Sequence, residues 1–187
     1  MKKVMFWVVL GIGISLTIVF FIEKKSFVVY EPTNSAVKAI IDKLARVSVY
    51  PEIPHRFDIM QPGVLQHLDR RFTYDTVPGK LLNGILFQGI HEPVEGTHVE
   101  VELLVPADIY FFFHYKVNGG YSDIFPELDG WERSEQAPQY DIHNGMHGLR
   151  MIMYHLEGEA GIYQIPPTVT DKACFSIVFQ PREPLDL

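Results

Sequence analysis

The sequence has very little cysteine, which excludes covalent cross-linking within the chain. Its 187 residues contain one cysteine, Cys174, so no intramolecular disulfide can form. Cys174 lies in the apolar run 173–179, where a free cysteine usually behaves as a small buried hydrophobic side chain. A reactive or metal-bound thiolate favours an electropositive, partly exposed setting, and the neighbouring sequence does not indicate one. We therefore predict a buried, inert Cys174.

The sequence also lacks the short motifs of common enzyme families. Gly-x-Ser-x-Gly, the phosphate-binding loop, the dinucleotide-binding glycine pattern and His-Glu-x-x-His are absent. A pair of hydrolytic carboxylates stays open as an alternative, because the distance between two carboxylates cannot be read from a sequence. No catalytic residue and no cofactor is predicted, and a non-enzymatic function is favoured.

Positive charge is scarce in the second half of the chain. The formal net charge is -7, and between residues 92 and 141 only Lys116 and Arg133 oppose many carboxylates. Such a surface repels phosphate backbones and anionic lipid head groups. Nucleic acid is therefore not expected as a partner, whereas a cation, a basic protein or a neutral ligand fits this charge better.

An uncharged segment stands at the N-terminus. Residues 4–22 contain no charged residue and no proline, and a helix of about 19 residues spans about 28 Å, close to the thickness of a bilayer core. The segment is long for a cleaved signal peptide and ends in bulky residues, although cleavage stays open. We predict that residues 1–25 form an uncleaved signal-anchor transmembrane helix.

The orientation of this single span follows from its flanking charges. Lys2 and Lys3 precede the apolar segment, whereas the positive charges of Lys24 and Lys25 after it are offset by Glu23. The positive-inside rule then favours a cytoplasmic N-terminus. We expect the rest of the chain in the periplasm or outside the cell.

Residues 26–80 are predicted as a connector that contains one helix and a loop region. Within 35–46, Val37, Ile40, Ile41 and Leu44 recur at helical spacing after the N-capping candidates of residues 33–35. This amphipathic helix either packs on its own domain or docks on a membrane partner or the lipid surface. Residues 51–80 contain four prolines and little periodicity, which predicts an ordered loop.

The pattern becomes β from residue 81 onward. Short strands are predicted at 81–90, 97–105, 109–117, 148–157, 161–165 and 173–180, separated by turn residues. Without alternating helices, this indicates a mainly β domain over 81–187, an antiparallel β-sandwich or jelly roll. The run 106–110, between an alternating strand and a Gly-Trp loop, resembles β-sandwich accessory modules attached to secreted bacterial enzymes.

A long insertion at residues 118–147 interrupts the strand rhythm and combines aromatic with acidic side chains. Sugar-binding loops use aromatic rings to stack on pyranose faces and carboxylates to accept hydrogen bonds from hydroxyl groups. The predicted ligand-binding residues are therefore Tyr121, Asp123, Trp131, Tyr140 and Asp141. The alternative is that Trp131 and the tyrosines only close one end of the sandwich.

Two sets of residues between 123 and 155 contain side chains that bind metals, but we predict a metal site at neither. His143, His147 and His155 would suit zinc or copper if their imidazoles converged. Asp123, Glu127 and Asp129 would suit calcium, but they do not match the helix-loop-helix calcium loop. Their convergence depends on the fold.

Two functions from different classes follow from these features. The first is a non-catalytic, membrane-anchored extracytoplasmic binding or assembly module, a subunit or accessory protein of an envelope complex with a protein partner. The alternative is a β-sandwich that binds a glycan or another ligand through residues 118–147.

Overall fold

The computed structural model describes residues 32–114, 116–117, 120–121, 130–143, 146–165, 167–168 and 174–185. They form one α-helix and thirteen β-strands. In chain order the elements are α1 Ser35–Leu44, β1 Ala45–Tyr50, β2 Arg56–Ile59, β3 Thr73–Thr76, a 3-10 turn Gly79–Leu81, β4 Ile85–Gln88, β5 His98–Leu103, β6 Ala107–His114, β7 Lys116–Val117, β8 Gly120–Tyr121, β9 Glu132–Ser134, β10 Gln139–Asp141, β11 Leu149–Gly158, β12 Gly161–Ile165 and β13 Phe175–Pro181.

The strands form two main antiparallel sheets. The small sheet has the order β1-β5-β12, and the large sheet has the order β2-β4-β13-β6-β11-β10-β3, with β9 added beside β11. Strands β7 and β8 form a separate two-stranded ribbon. The prediction of a mainly β, antiparallel fold is confirmed, and the strands predicted between 81 and 180 are present with shifted ends.

The amphipathic helix is present as α1. Its N-cap is Asn34, whose side-chain oxygen accepts a hydrogen bond from the backbone N–H of Ala36 at 2.9 Å. Val37, Ile41 and Leu44 are buried, and they pack with side chains of both main sheets. The helix therefore packs on its own domain through the apolar stripe that the sequence shows.

The segment 45–76 differs from the predicted connector because it supplies three strands. Strand β1 begins directly after α1 and pairs with β5, whereas β2 pairs with β4 and β3 with β10. The prolines between these short strands hide their pattern, and all four residues of β2 are only half-buried, so no alternation marks it. Residues 26–80 thus contain sheet strands as well as a helix and loops.

The first hydrophobic core lies between the two sheets and α1. Val99, Val101 and Leu103 point inward from the central strand of the small sheet and are almost fully buried. The large sheet opposes them with every second residue of its central strands, such as Phe111 and Ile177. This facing arrangement of two sheets is the β-sandwich-like feature of the fold.

The large sheet curls so that its far strands cover its own second face. Tyr74 of β3 donates a hydrogen bond from its hydroxyl group to Ser176 Oγ of β13 at 2.7 Å, although several strands separate β3 from β13 in the sheet order. The Tyr74 ring also meets Phe112 edge-on at 5.8 Å. A second core, which includes Leu86 and Met153, fills the resulting half-barrel.

Within the described residues, no helix has the length and apolar character needed to cross a bilayer. The transmembrane helix predicted for residues 1–25 lies outside the described residues.

Candidate functional site

Three neighbouring strands of the large sheet place two imidazoles and a thiol together. His114 is the last residue of β6, Cys174 directly precedes β13, and His91 follows the end of β4. The backbone N–H of His114 donates to the carbonyl oxygen of Cys174 at 3.3 Å. One ligand atom from each of the three side chains lies within 4.8 Å of the other two.

A fourth such residue, His67, comes from the segment before β3. That segment is fixed to the end of β4 by two hydrogen bonds: Leu68 N–H donates to the Gly89 carbonyl at 3.0 Å, and His91 N–H donates to Asp69 Oδ1 at 2.7 Å. His67 has no solvent-exposed surface. We refer to His67, His91, His114 and Cys174 as the imidazole–thiol cluster.

The three imidazole rings of the cluster lie at similar distances from one another. The ring centroids are 5.2 Å apart for His67 and His91, and 5.7 Å apart both for His67 and His114 and for His91 and His114. The planes are inclined by 54° to 79°, so the rings meet at steep angles and are not stacked in parallel. The three rings are therefore mutual neighbours.

Aromatic side chains enclose the cluster. Tyr140 stacks on His114 with centroids 4.1 Å apart and an interplanar angle of 8°. Phe72 meets His91 edge-on at 5.0 Å and also lies within 6.4 Å of the His67 ring. Burial, and then the charge of the nearby Cys174, raise the pKa of the Tyr140 hydroxyl to about 12. At neutral pH Tyr140 is therefore uncharged, and its ring lines one side of the cluster.

The buried imidazoles are neutral at physiological pH. Burial, followed by the neighbouring imidazole of His91, lowers the pKa of His114 to about 3. Burial also holds the pKa of His67 well below its usual value, with smaller contributions from His114, His91 and Arg70. A neutral imidazole keeps one nitrogen lone pair, which is the form that binds metals.

Gln66 orients one of these rings. The Nε2–H group of His114 donates to Gln66 Oε1 at 3.0 Å, while the amide nitrogen of Gln66 lies 3.7 Å from Met151 Sδ as a donor. With its proton on Nε2, a neutral His114 carries its lone pair on Nδ1. In contrast, neither ring nitrogen of His67 has a hydrogen-bond partner in the part of the chain that the structure describes.

Among the predicted ligand-binding side chains that the structure describes, Trp131 and Tyr140 lie apart. Trp131 is half-buried against the first core, where it meets Phe111 edge-on at 6.4 Å. Tyr140 lies in the second core, on the opposite face of the large sheet. Tyr121 belongs to β8, whose backbone pairs with β7, and Asp123 lies outside the described residues.

Asp141 is buried beside two partly exposed histidines. Its Oδ1 accepts the backbone N–H of His143 at 2.6 Å, and its Oδ2 lies 2.7 Å from His147 Nδ1. The His143 N–H is the main reason that the pKa of the Asp141 carboxyl is lowered, and the two imidazoles lower it further. Asp141 therefore fixes the local loop and is not presented to solvent.

The three histidines of the zinc or copper pattern do not converge in the structure. His143 and His147 meet at Asp141, whereas His155 stacks on Tyr110 at 4.6 Å and lies 3.5 Å from Asp108. His155 is therefore engaged elsewhere on the large sheet. The calcium pattern, Asp123, Glu127 and Asp129, lies outside the described residues.

The imidazole–thiol cluster was missed because its members are far apart in the sequence. Cys174 is buried, as predicted, but the two histidines close to its sulfur, His91 and His114, are far from it in the sequence. The signal available was that His114 and Cys174 both lie in predicted strands, 109–117 and 173–180. The pairing register that brings them together cannot be read from one sequence.

The fold defines the chain as an antiparallel β-sandwich-like domain. No family model matches the sequence, and a search of curated proteins finds no match either. A similar solved structure is that of a β-glucuronidase from glycoside hydrolase family 2, with a TM-score of 0.58 and 14% sequence identity. The similarity covers 73% of this chain and 14% of the β-glucuronidase chain, so it shows the fold alone.

Proposed function

We propose that the chain is a non-catalytic binding or assembly module, anchored to the membrane by residues 1–25, with its β domain on the non-cytoplasmic side as a subunit or accessory protein of an envelope complex. The observation behind this proposal is the uncharged segment 4–22, which stands close in sequence to a folded β domain. A short connector to α1 would keep the domain near the bilayer surface.

The geometry supports a partner surface on the small sheet. Helix α1 buries its apolar stripe in its own domain, so that stripe is not available to a partner. On the outer face of the small sheet, Ile162 is 66% exposed and Tyr50 is 49% exposed. Strand β12 pairs with β5 along one side, and such edge strands are common sites of protein association.

Membrane fractionation with protease accessibility, followed by purification in mild detergent, tests this proposal. We expect the full-length chain in the membrane fraction, with its β domain digested by protease added on the outer side of the cytoplasmic membrane, and a defined partner that purifies with it. Ile162→Asp should reduce the recovered partner at least about tenfold, since it replaces an exposed apolar side chain by a further negative charge beside Glu102. Val94→Asp is the control, because Val94 is also exposed, at 56%, but lies outside the small sheet.

A processed, freely soluble chain would contradict the anchor. A monomer without a partner would contradict the assembly role, and equal effects of the two aspartate variants would exclude the small sheet as the contact surface.

The second candidate function is glycan recognition through residues 118–147. It is favoured by the similarity to a domain-sized part of a β-glucuronidase, an enzyme that belongs to a glycoside hydrolase family. Trp131 leaves part of its ring outside the first core, and such a ring can stack on a sugar. Tyr140 and Asp141 are buried, so they would hold residues 118–147 in place and would not contact the sugar.

Replacing Trp131 by alanine tests the glycan hypothesis. We expect binding to an array-selected glycan to weaken about tenfold, together with a loss of about 2 kcal/mol in unfolding free energy, because the ring is half-buried. Tyr163→Ala is the control: it removes another half-buried ring that packs on the first core, but from the small sheet. If the parent protein binds no glycan, this function is excluded.

A further inference from the structure

We propose that the imidazole–thiol cluster is a closed binding site for one zinc ion, with His67, His91, His114 and Cys174 as the four ligands. The site would be structural, and it does not depend on the membrane anchor or on the partner proposed above. The argument rests on the spacing of the donors, on the burial of His67 and on the chemistry of the donor set.

The spacing of the donor atoms is close to that of a zinc site. Zinc holds nitrogen and sulfur ligands at roughly 2.0–2.3 Å, so neighbouring donors of a tetrahedral site lie roughly 3.3–3.8 Å apart. The donors of His91, His114 and Cys174 lie within 4.8 Å of one another. Side-chain adjustments of about 1 Å therefore suffice to close them around an ion.

The ring positions fit the same geometry independently. An imidazole bound through nitrogen has its centroid about 3.2 Å from the metal, so tetrahedral neighbours have centroids about 5 Å apart. The three histidine rings of the cluster are separated by 5.2, 5.7 and 5.7 Å. His67 lies beside this group but outside the three residues whose donor atoms are within 4.8 Å of one another, so its ring would turn toward the ion to become the fourth ligand.

The burial of His67 points to a ligand that the protein chain does not supply. Its ring has no exposed surface, and both nitrogens are without a hydrogen-bond partner among the described residues. A buried imidazole in this state is strongly unfavourable, because its lost hydrogen bonds to water are not replaced. A metal bond to one nitrogen would compensate for that loss.

The chemistry of the donor set favours zinc. Imidazole and thiolate are ligands of zinc and copper, whereas magnesium and calcium require oxygen donors, and the cluster contains no carboxylate. The Nε2–H group of His114 donates to Gln66, so the lone pair of the neutral ring is on Nδ1.

The enclosure of the cluster favours a structural role over a catalytic one. Four protein ligands complete a tetrahedral shell and leave no position for water or substrate. Phe72 and Tyr140 cover the rings from two sides. On binding, the Cys174 thiol would lose its proton to solvent and become a thiolate, without any change of oxidation state. Through His67, the ion would then connect residues 61–72, which precede β3, to the ends of β4, β6 and β13.

Metal titration of the full-length protein in detergent tests the site. The protein is stripped with a chelator, reduced with a phosphine, and titrated with Zn²⁺, or with Co²⁺ as a spectroscopic probe. We expect one equivalent to bind, a thiolate-to-cobalt absorption band, and a rise in Tm of about 10 °C at saturating Zn²⁺. No saturable binding, or a cobalt spectrum without the thiolate band, would overturn the proposal.

Two variants distinguish a side chain that binds the metal from one that only packs in the core. Cys174→Ala should abolish the cobalt–thiolate band and weaken Zn²⁺ binding at least about 100-fold. His67→Leu should weaken Zn²⁺ binding similarly, yet raise the Tm of the metal-free protein, because it removes an unsatisfied buried imidazole. A histidine that only packs in the core would not affect metal affinity, so unchanged affinity in His67→Leu would exclude His67 as a ligand.

A matched control tests whether the metal binds to surface histidines instead of the cluster. The double variant His143→Ala and His147→Ala removes two exposed imidazoles and should leave both the stoichiometry and the cobalt band unchanged. Loss of binding in this double variant, with binding retained in Cys174→Ala, would place the ion at the surface and overturn the proposal. If Cys174→Ala does not fold, the cobalt–thiolate band of the parent protein alone decides the outcome.

Discussion

Replacing Phe111 by alanine is expected to lower the free energy of unfolding by about 3–5 kcal/mol. Phe111 is fully buried in β6, the strand between β13 and β11 in the large sheet. Its ring contacts those of Phe113 and Phe175, with centroids 5.6 Å and 5.8 Å away. Because the surrounding sheets cannot collapse into the vacated volume, both the transfer free energy and the cavity contribute to the loss.

Urea denaturation of the full-length chain in detergent measures this change. Ile162→Ala is the control, since it removes an apolar side chain that is 66% exposed and should change stability by less than about 0.5 kcal/mol. A loss below about 1 kcal/mol for Phe111→Ala would mean that the first core is not packed as the structure describes.

Replacing Leu44 by alanine is expected to cost about 2–5 kcal/mol. Leu44 is the last residue of α1 and has no exposed surface. It packs in the core between the two sheets, so the change loosens the helix and the small sheet together. The result would distinguish a helix that is part of the domain from one that docks on a partner, because a docking helix would tolerate the substitution in the isolated protein.

Thermal unfolding of the purified chain, without any partner, provides the measurement for Leu44→Ala. Asp42→Ala is a matched control in the same helix: it removes only an exposed ion pair with Lys38 at 2.6 Å, which contributes about 0.5 kcal/mol or less. Similar melting temperatures for the two variants would contradict the buried position of the helix.

The sequence predicts those parts of the fold where local patterns match the tertiary environment. In β5, valine and leucine alternate with polar residues, and the structure buries one face and exposes the other. In α1, the capping residue and the helical spacing of apolar residues both act locally. Strands β2 and β3 were missed because they are short, and because pairing with distant strands, not a local pattern, makes them extended.

The candidate site was harder to predict from the sequence than the fold. Trp131 and Tyr140 are near each other in the chain and look like one aromatic surface, yet the sheet separates them onto opposite faces. His91 and Cys174 are far apart in the chain, yet the pairing of β4 with β13 brings their ligand atoms within 4.8 Å of each other. Proximity in sequence indicated the wrong neighbours because the strand order is not the chain order.

The position of β13 has a consequence for the order of folding events. Among the described strands β13 comes last in the chain and inserts between β4 and β6, so the middle of the large sheet is incomplete until residues 175–181 have been synthesised. Non-local pairings of this kind form slowly, because the entropy of closing long loops must be overcome first. Until β13 is in place, β4 and β6 each present an open hydrogen-bonding edge, and the nascent domain depends on its C-terminus for protection against association with other chains.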